Sequence, residues 1–156
     1  MSEETPKKSN TGLIIGIGCA VLIVGTFVIG IVAAIAIPNF VSMQYKTKRS
    51  EIPMNMKAIK TMQVAYRQNF DVYVPAAAYP RTPSKEAQAW VVSESGGFQT
   101  LGWQPDGAVR GSYSVTTTAN DFEIIGLSDI DGDGVYATYR ATSSANPVAI
   151  TPIDVY

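Results

Sequence analysis

The sequence predicts an α+β fold in which a long N-terminal helix, transmembrane in its first part, packs on a small antiparallel β-sheet head. No Asp, Glu, Lys or Arg occurs between Lys8 and Lys46. Helical periodicity follows this gap, and the last third of the chain is rich in β-branched and aromatic residues. We therefore divide the chain into residues 1-11, a polar tail; 12-37, a transmembrane helix; 38-73, an amphipathic helix that continues it; and 74-156, a loop and sheet head.

The apolar segment of residues 12-37 is long enough to span a bilayer. It has 26 residues, of which 15 are Leu, Ile, Val or Phe. As a helix it would extend about 39 Å, whereas the hydrocarbon core measures roughly 30 Å. A cleaved secretory signal is the competing interpretation, because Lys7-Lys8 precedes the segment and Ala34-Ile35-Ala36 resembles a cleavage site. Signal cores have about 7 to 15 apolar residues, so the length favours a span.

The period of the pattern changes after the span. Apolar residues first recur at steps of three and four on one helical face: Ile52, Met56, Ile59, Met62, Tyr66 and Phe70. Pro38 and Pro53 predict bends in this helix. Three later runs predict antiparallel strands: Gly111–Thr118, Asp121–Leu127 and Val135–Thr142. We also expect a short helix over residues 84–92 and an edge strand within residues 147–156.

The composition and motifs of the chain argue against several classes of function. The net charge of −1 gives no reason to expect a nucleic-acid partner. The chain has no His and one Cys, Cys19, so it has neither an internal disulfide nor a Cys-rich zinc site. No phosphate-binding loop, dinucleotide fingerprint or nucleophile motif occurs. We therefore predict that the protein is not an enzyme and has no small-molecule substrate.

Charge differs between the two later segments. Residues 39–73 carry six basic and two acidic side chains, whereas residues 74–156 carry four basic and nine acidic ones. This difference would suit contact between copies, although ordinary solvated faces would produce it too.

Several segments resemble type IV pilins and pseudopilins. Gly30 to Phe40 (GIVAAIAIPNF) is similar to the end of the pilin helix, and Lys46 to Lys57 (KTKRSEIPMNMK) to the segment that follows it. Phe98 to Val115 and the Asp129 to Gly134 turn are similar to parts of some bacterial pilin heads. The resemblance implies a bacterial membrane protein with a prepilin-type N-terminal region, in a family associated with methylation, adhesion, motility and secretion.

The resemblance also implies where a leader would be cleaved. Pilin precursors have Gly before the cleaved bond and Glu five residues into the mature chain. Gly16 and Ile17 then flank the bond, and Val21 takes the place of the Glu. Cleavage between Gly12 and Leu13 is the alternative and puts Ile17 in that place. Because the carboxylate that would neutralise a new amine is missing, we expect an uncleaved protein or a minor subunit.

Two sets of residues are candidate sites. Asp129, Asp131 and Asp133 place carboxylates at alternate positions before turn glycines, a spacing that suits calcium, although Arg140 replaces the Glu of an EF-hand. A turn without metal would use the same residues. Small residues and the proline of the apolar helix are candidates for helix packing in the membrane. They are Gly16, Gly30, Ala34 and Pro38.

Three functions remain open. The first is a pilin-like structural subunit of a type IV pilus or type II secretion-like system, in the cytoplasmic membrane with its head outside, whose partners are the membrane and other pilin-like subunits or itself. The second is a stationary, membrane-anchored binding module outside the cytoplasm that uses calcium or another ligand. The third is a head domain secreted after cleavage at Ala36.

Overall fold

The computed structural model describes the backbone of residues 11–156 and the side chains from residue 15 onward. The predicted polar tail therefore lies outside the described residues except for Thr11. Two helices come first, α1 (Thr11–Arg49) and α2 (Glu51–Phe70). Strands and short helices follow: β1 (Ala76–Tyr79), a 3-10 helix (Val92–Glu94), α3 (Gly97–Leu101), β2 (Ser112–Thr117), β3 (Phe122–Ser128), β4 (Ala137–Thr142) and β5 (Val148–Ala149).

The chain divides into two compact units between Ser42 and Met43. We call the described residues 11–42 the helical unit and residues 43–156 the globular unit. The helical unit consists of α1 residues only. The globular unit contains the end of α1, the whole of α2 and the sheet.

The helix is interrupted at Ser50, where α1 ends and α2 begins one residue later. Pro53 explains the position, because a proline has no N–H to donate to the carbonyl four residues earlier, that of Arg49. Ser50 keeps helical dihedral angles, and its hydroxyl donates to the Thr47 carbonyl at 2.6 Å. Pro38, by contrast, lies inside α1, which continues through it.

The sheet has five antiparallel strands in the order β1-β2-β3-β4-β5. The three strands expected from β-branched residues are confirmed as β2, β3 and β4, and the expected edge strand is β5. The sequence does not predict β1, whose Ala-Ala-Ala-Tyr segment has little β-propensity. It forms by pairing with β2, with Ala76 opposite Val115 and Tyr79 opposite Tyr113.

The helix expected over residues 84–92 is wrong. Gln88 instead pairs with Val109 through two backbone hydrogen bonds, of 2.7 and 2.9 Å. The Ser84 amide also donates to the Arg110 carbonyl at 2.9 Å. Pairing with a distant segment thus outweighs the local helical preference of these residues. The helical turns of this region lie just beyond it, in the 3-10 helix and α3.

The core lies between α2 and the sheet. Ile52, Met56 and Ile59 on α2 are fully buried, as the helical spacing predicts, whereas Phe70 at the end of the helix is exposed. Gly126 in β3 allows this close packing, because a Cβ there would lie 2.7 Å from side-chain atoms of both Ile52 and Met56. The sheet face beneath α2 therefore requires a residue without a side chain at this position.

Candidate functional site

The helical unit exposes an apolar surface. Every Ile, Leu, Val and Phe from Ile15 to Val41 is exposed, from 37% at Val41 to 71% at Leu22. No charged side chain interrupts this surface. Among the described residues, one helical stretch is long and apolar enough to cross a membrane, and none of its most apolar window is buried. Such a surface needs apolar cover from outside the chain, either lipid or another protein.

One face of the helical unit has a shallow groove of about 620 Å³. Thr26, Gly30 and Ala34, spaced four residues apart, lie along it, with larger apolar side chains beside them. The Thr26 hydroxyl donates to the Leu22 carbonyl at 2.8 Å, so its polar atom is satisfied within the helix. A stripe of small residues at this spacing lets a second helix approach closely in a membrane.

The structure brings together only some of the residues that the sequence proposes for helix packing. Gly30 and Ala34 share the groove, whereas Gly16 and Pro38 lie outside it on α1. A Cβ on Gly16 or Gly30 would meet no atom of residues 11–156 within 4 Å, so no contact among these residues requires glycine at either position. The absence of a side chain at Gly30 therefore matters only for a partner in the groove.

Both candidate leader bonds lie within α1. The bond between Gly16 and Ile17 and that between Gly12 and Leu13 are in helical backbone. Val21, which takes the place of the pilin Glu, is 65% exposed. Helix α1 contains no Asp or Glu, so no other carboxylate of this helix replaces that of the pilin Glu.

The three aspartates converge in the loop between β3 and β4. One carboxylate oxygen from each of Asp129, Asp131 and Asp133 lies within 4.8 Å of the others. Asp129 Oδ1 accepts the Gly132 amide at 2.8 Å, and Asp133 Oδ1 accepts the Val135 amide at 2.7 Å. Asp131 Oδ1 is buried and has no hydrogen-bond partner in the described part of the chain. The loop thus holds its own shape and still has an unsatisfied carboxylate oxygen.

The donors of this aspartate loop suit a hard cation. Carboxylate oxygens are the ligands that calcium prefers, and a buried carboxylate oxygen without a partner is costly unless a cation or water satisfies it. Gly132 and Gly134 have φ of 78° and 83°, a left-handed conformation that side chains disfavour. Lys85 Nζ donates to the backbone carbonyl of Asp131 at 3.3 Å rather than to a carboxylate.

A second polar cluster joins the start of α2 to β2. Glu51 Oε1 accepts the Arg110 amide at 2.9 Å and the Tyr113 hydroxyl at 3.3 Å, and Asn55 Nδ2 donates to the same hydroxyl at 2.8 Å. Burial, and next the negative charge of Glu51, raise the pKa of Tyr113 well above its usual range. Tyr113 therefore stays neutral, and the cluster fixes the position of the helix on the sheet.

Arg49 is a structural residue that the sequence analysis does not single out. It is 6% exposed, and its guanidinium donates to the Tyr139 hydroxyl and to the carbonyls of Ile153 and Val155, the last two at 2.9 and 2.6 Å. The end of α1 is thereby joined to β4 and to the segment after β5. The buried guanidinium is hydrogen-bonded to neutral oxygens, and it fixes the position of the segment after β5, which has almost no regular secondary structure.

Gln63 is the second such residue. It is fully buried on α2, and its side-chain amide donates to the Val74 carbonyl at 2.6 Å and accepts the Val74 amide at 3.0 Å. A signal for both residues exists in the sequence. Arg49 and Gln63 continue the three-and-four spacing of Ile52, Met56 and Ile59 along the helix. A polar residue at such a position is expected to be buried, and its polar atoms then need hydrogen-bond partners.

Comparison with known proteins gives one relative. The chain is 30% identical over 109 residues to the type IV major pilin protein PilA of Myxococcus xanthus (strain DK1622). The match covers 70% of this chain, and the chain spans about 40% of the length of that relative. No family model matches, and no solved structure matches significantly. The predicted resemblance to type IV pilins and the predicted pilin-like α+β fold are confirmed by this similarity.

Proposed function

We propose that this type IV pilin-like chain is a membrane-anchored structural subunit, a minor or uncleaved component of a type IV pilus or type II secretion-like system. It crosses the bacterial cytoplasmic membrane once, with its head outside. The observation that carries the proposal is the exposed apolar surface of residues 15–41, in a chain similar to a major pilin. The role is structural rather than enzymatic.

The subunit assembles through its apolar helix. Gly30 and Ala34 lie in the groove of the helical unit, where their small size allows a second helix to approach. Lipid covers this surface before assembly, and helices of other pilin-like subunits or of the same chain cover it afterwards. Gly16 and Pro38, which lie elsewhere on the same helix, also take part in this helix packing.

The missing carboxylate supports the minor or uncleaved assignment. An amine freed by cleavage at Gly16–Ile17 or at Gly12–Leu13 would be an uncompensated charge in an apolar environment. Val21 and Ile17, the fifth residues of the mature chain in the two cases, are both apolar. If the leader is retained, that amine does not form. If the leader is cleaved, a subunit present in few copies tolerates the uncompensated amine better than a subunit that makes up a whole polymer.

Intact-mass spectrometry of the protein isolated from its native membrane tests this proposal. We expect a mass that includes the N-terminal residues. Loss of residues 1–16 or 1–12 would contradict the uncleaved form and support prepilin-type processing. A chain that begins at Ile37 would contradict the membrane anchor and support the secreted head.

The second candidate function is a stationary anchor whose globular unit binds calcium. The convergence of the three aspartates and the unpartnered Asp131 Oδ1 favour it. Calorimetric titration of the full chain in detergent with calcium provides the test, with Asp131→Asn as the variant and Asp106→Asn, an exposed aspartate outside the loop, as the matched control. Heat that Asp131→Asn abolishes and Asp106→Asn keeps would support it. No heat at millimolar calcium would leave only a turn.

A further inference from the structure

Lys57 and Lys60, two charged residues of α2, have no carboxylate partner among the described residues. Among the described residues, ion pairs join Arg110 to Glu51 and Arg140 to Glu123. Neither pair includes Lys57 or Lys60 of α2. Lys57 is exposed, and Lys60 Nζ contacts the neutral carbonyl of Ala145 at 2.9 Å. Glu51, the acid at the start of the helix, is directed to the Arg110 amide, so it does not neutralise these lysines.

These two lysines border a groove on the globular unit. The groove measures about 570 Å³ and lies between the outer face of α2 and the turn that follows β4, to which Asn146 belongs. Its α2 lining is Lys57, Lys60, Thr61, Val64, Ala65 and Gln68. Val64 is 39% exposed, so the groove has an apolar strip as well as two cations. Its occupant should have the opposite charge and an apolar part.

The segment from Asp131 to Tyr136 has these properties. Asp133 is exposed and acidic, and Val135 and Tyr136, directly after it, are 54% and 39% exposed. No lysine or arginine pairs with a carboxylate of this segment among the described residues, because Lys85 contacts a backbone carbonyl. The segment thus presents negative charge next to exposed apolar side chains, in a loop whose shape is held by its own hydrogen bonds.

We propose that the α2 groove of one copy of this chain receives the Asp131–Tyr136 loop of a second copy. The inference rests on the proposed structural role and names the surfaces that meet outside the membrane. Charge complementarity selects the occupant, because the groove has unpaired cations and the loop unpaired carboxylates. The two surfaces differ, so the contact is heterologous: the groove of one copy meets the loop of another.

Disulfide trapping of the full chain in lipid vesicles tests the contact. Two differently tagged chains, both with Cys19→Ser, would carry Thr61→Cys in the groove and Val135→Cys in the loop, respectively. Glu94→Cys, an exposed position on another segment, replaces Val135→Cys in the matched control. A chelator keeps the aspartates free of metal. We expect the 61–135 crosslink to exceed the 61–94 crosslink about tenfold, because docking raises the effective concentration of the two thiols.

Charge reversal in the groove gives an independent measurement. Lys57→Glu with Lys60→Glu should lower the 61–135 yield about tenfold, since two attractions become repulsions. Lys57 is exposed, and Lys60 is half-buried and loses one hydrogen bond to the Ala145 carbonyl, so the head should still fold, and its thermal unfolding would verify this. Arg81→Glu, which reverses an exposed cation elsewhere, should leave the yield unchanged.

A separate Gly30→Cys chain distinguishes failure of this inference from failure of the proposed function. Crosslinks at residue 30 without a 61–135 crosslink would overturn the groove contact and leave helix assembly supported. Dominant 61–61 crosslinks would also overturn it, because they would mean that two α2 faces meet. Absence of crosslinks at both residue 30 and 61–135 would overturn assembly of this chain with itself, and this inference with it.

Discussion

The helical and globular units differ in where their apolar side chains lie. In the helical unit every large apolar side chain from Ile15 to Val41 is exposed, and in the globular unit Phe98, Phe122 and Ile124 are almost fully buried. The first unit therefore gains nothing from its apolar surface until lipid or another protein covers it, whereas the second is stabilised by its own core. Similar residues thus produce association in one unit and folding in the other.

Polar groups differ between the units in the same way. The Thr26 hydroxyl of the helical unit is satisfied by a carbonyl of its own helix. In the globular unit Arg49 and Gln63 are buried and bond to segments outside their own helices, Arg49 to a residue 104 positions further along the chain and Gln63 to one 11 positions further. A hydroxyl that is hydrogen-bonded within its own helix does not determine what packs against that helix, whereas hydrogen bonds between segments fix one tertiary arrangement.

The largest predicted effect on folding comes from truncating the core. Phe122 is 2% exposed and its ring meets that of Tyr73 edge-on at 4.8 Å. Phe122→Ala should destabilise the globular unit by about 3 to 5 kcal/mol, because it removes buried area and leaves a cavity. Chemical denaturation of the full chain in detergent, followed by tryptophan fluorescence, measures it. Phe27→Ala, which truncates a 71% exposed ring of the helical unit, is the matched control and should leave this transition unchanged.

The next effect tests the buried guanidinium. Arg49→Met keeps the apolar stem but leaves the Tyr139 hydroxyl and two carbonyls without their donor. We expect a loss of roughly 3 kcal/mol in unfolding free energy, since unsatisfied buried groups are costly. Lys48→Met, one residue earlier and partly exposed, should cost less than about 0.5 kcal/mol. Equal effects from the two variants would refute a special role for Arg49.

A smaller effect is expected from adding a single methyl group to the sheet. Gly126→Ala places a Cβ where Ile52 and Met56 already lie, so it should destabilise the globular unit by about 2 kcal/mol through overpacking. Gly107→Ala meets nothing within 4 Å and is the matched control. The melting temperatures of the two variants should separate clearly, and an unchanged value for Gly126→Ala would mean that α2 does not pack as described.

The smallest predicted effect is a change in the pH dependence of stability in acid. Hydrogen bonds, first from Ser143 and then from the Phe122 amide, lower the pKa of Asp121 below its usual 3.8. The carboxylate therefore contributes stability above its unfolded pKa, and this contribution is lost as pH falls through the lower folded pKa. Melting temperatures of the wild type and Asp121→Asn should differ near pH 6 and converge below about pH 4. A gap that persists in acid would assign the effect to something other than this ionisation.

Local pattern predicted most of the fold and less of the site. β-branched and aromatic runs predicted β2, β3 and β4, because their alternation matches the buried and exposed faces of a sheet. Long-range pairing created β1 and the Gln88–Val109 bridge, neither of which has a local signal. The aspartate spacing predicted three carboxylates close together, and the structure places their oxygens within 4.8 Å. The hydrogen bonds of Arg49 and Gln63 join their helices to other segments, so only the phase of these two residues in the apolar stripe indicated that they are buried.

Sedimentation of the full-length chain tests the central difference between the units most directly. In detergent or lipid we expect dispersed particles with a folded globular unit. Without either, we expect the chain to form large assemblies that pellet, because the apolar side chains of residues 15–41 are exposed. A full-length chain that stays monomeric in plain buffer, with its mass verified, would contradict the account.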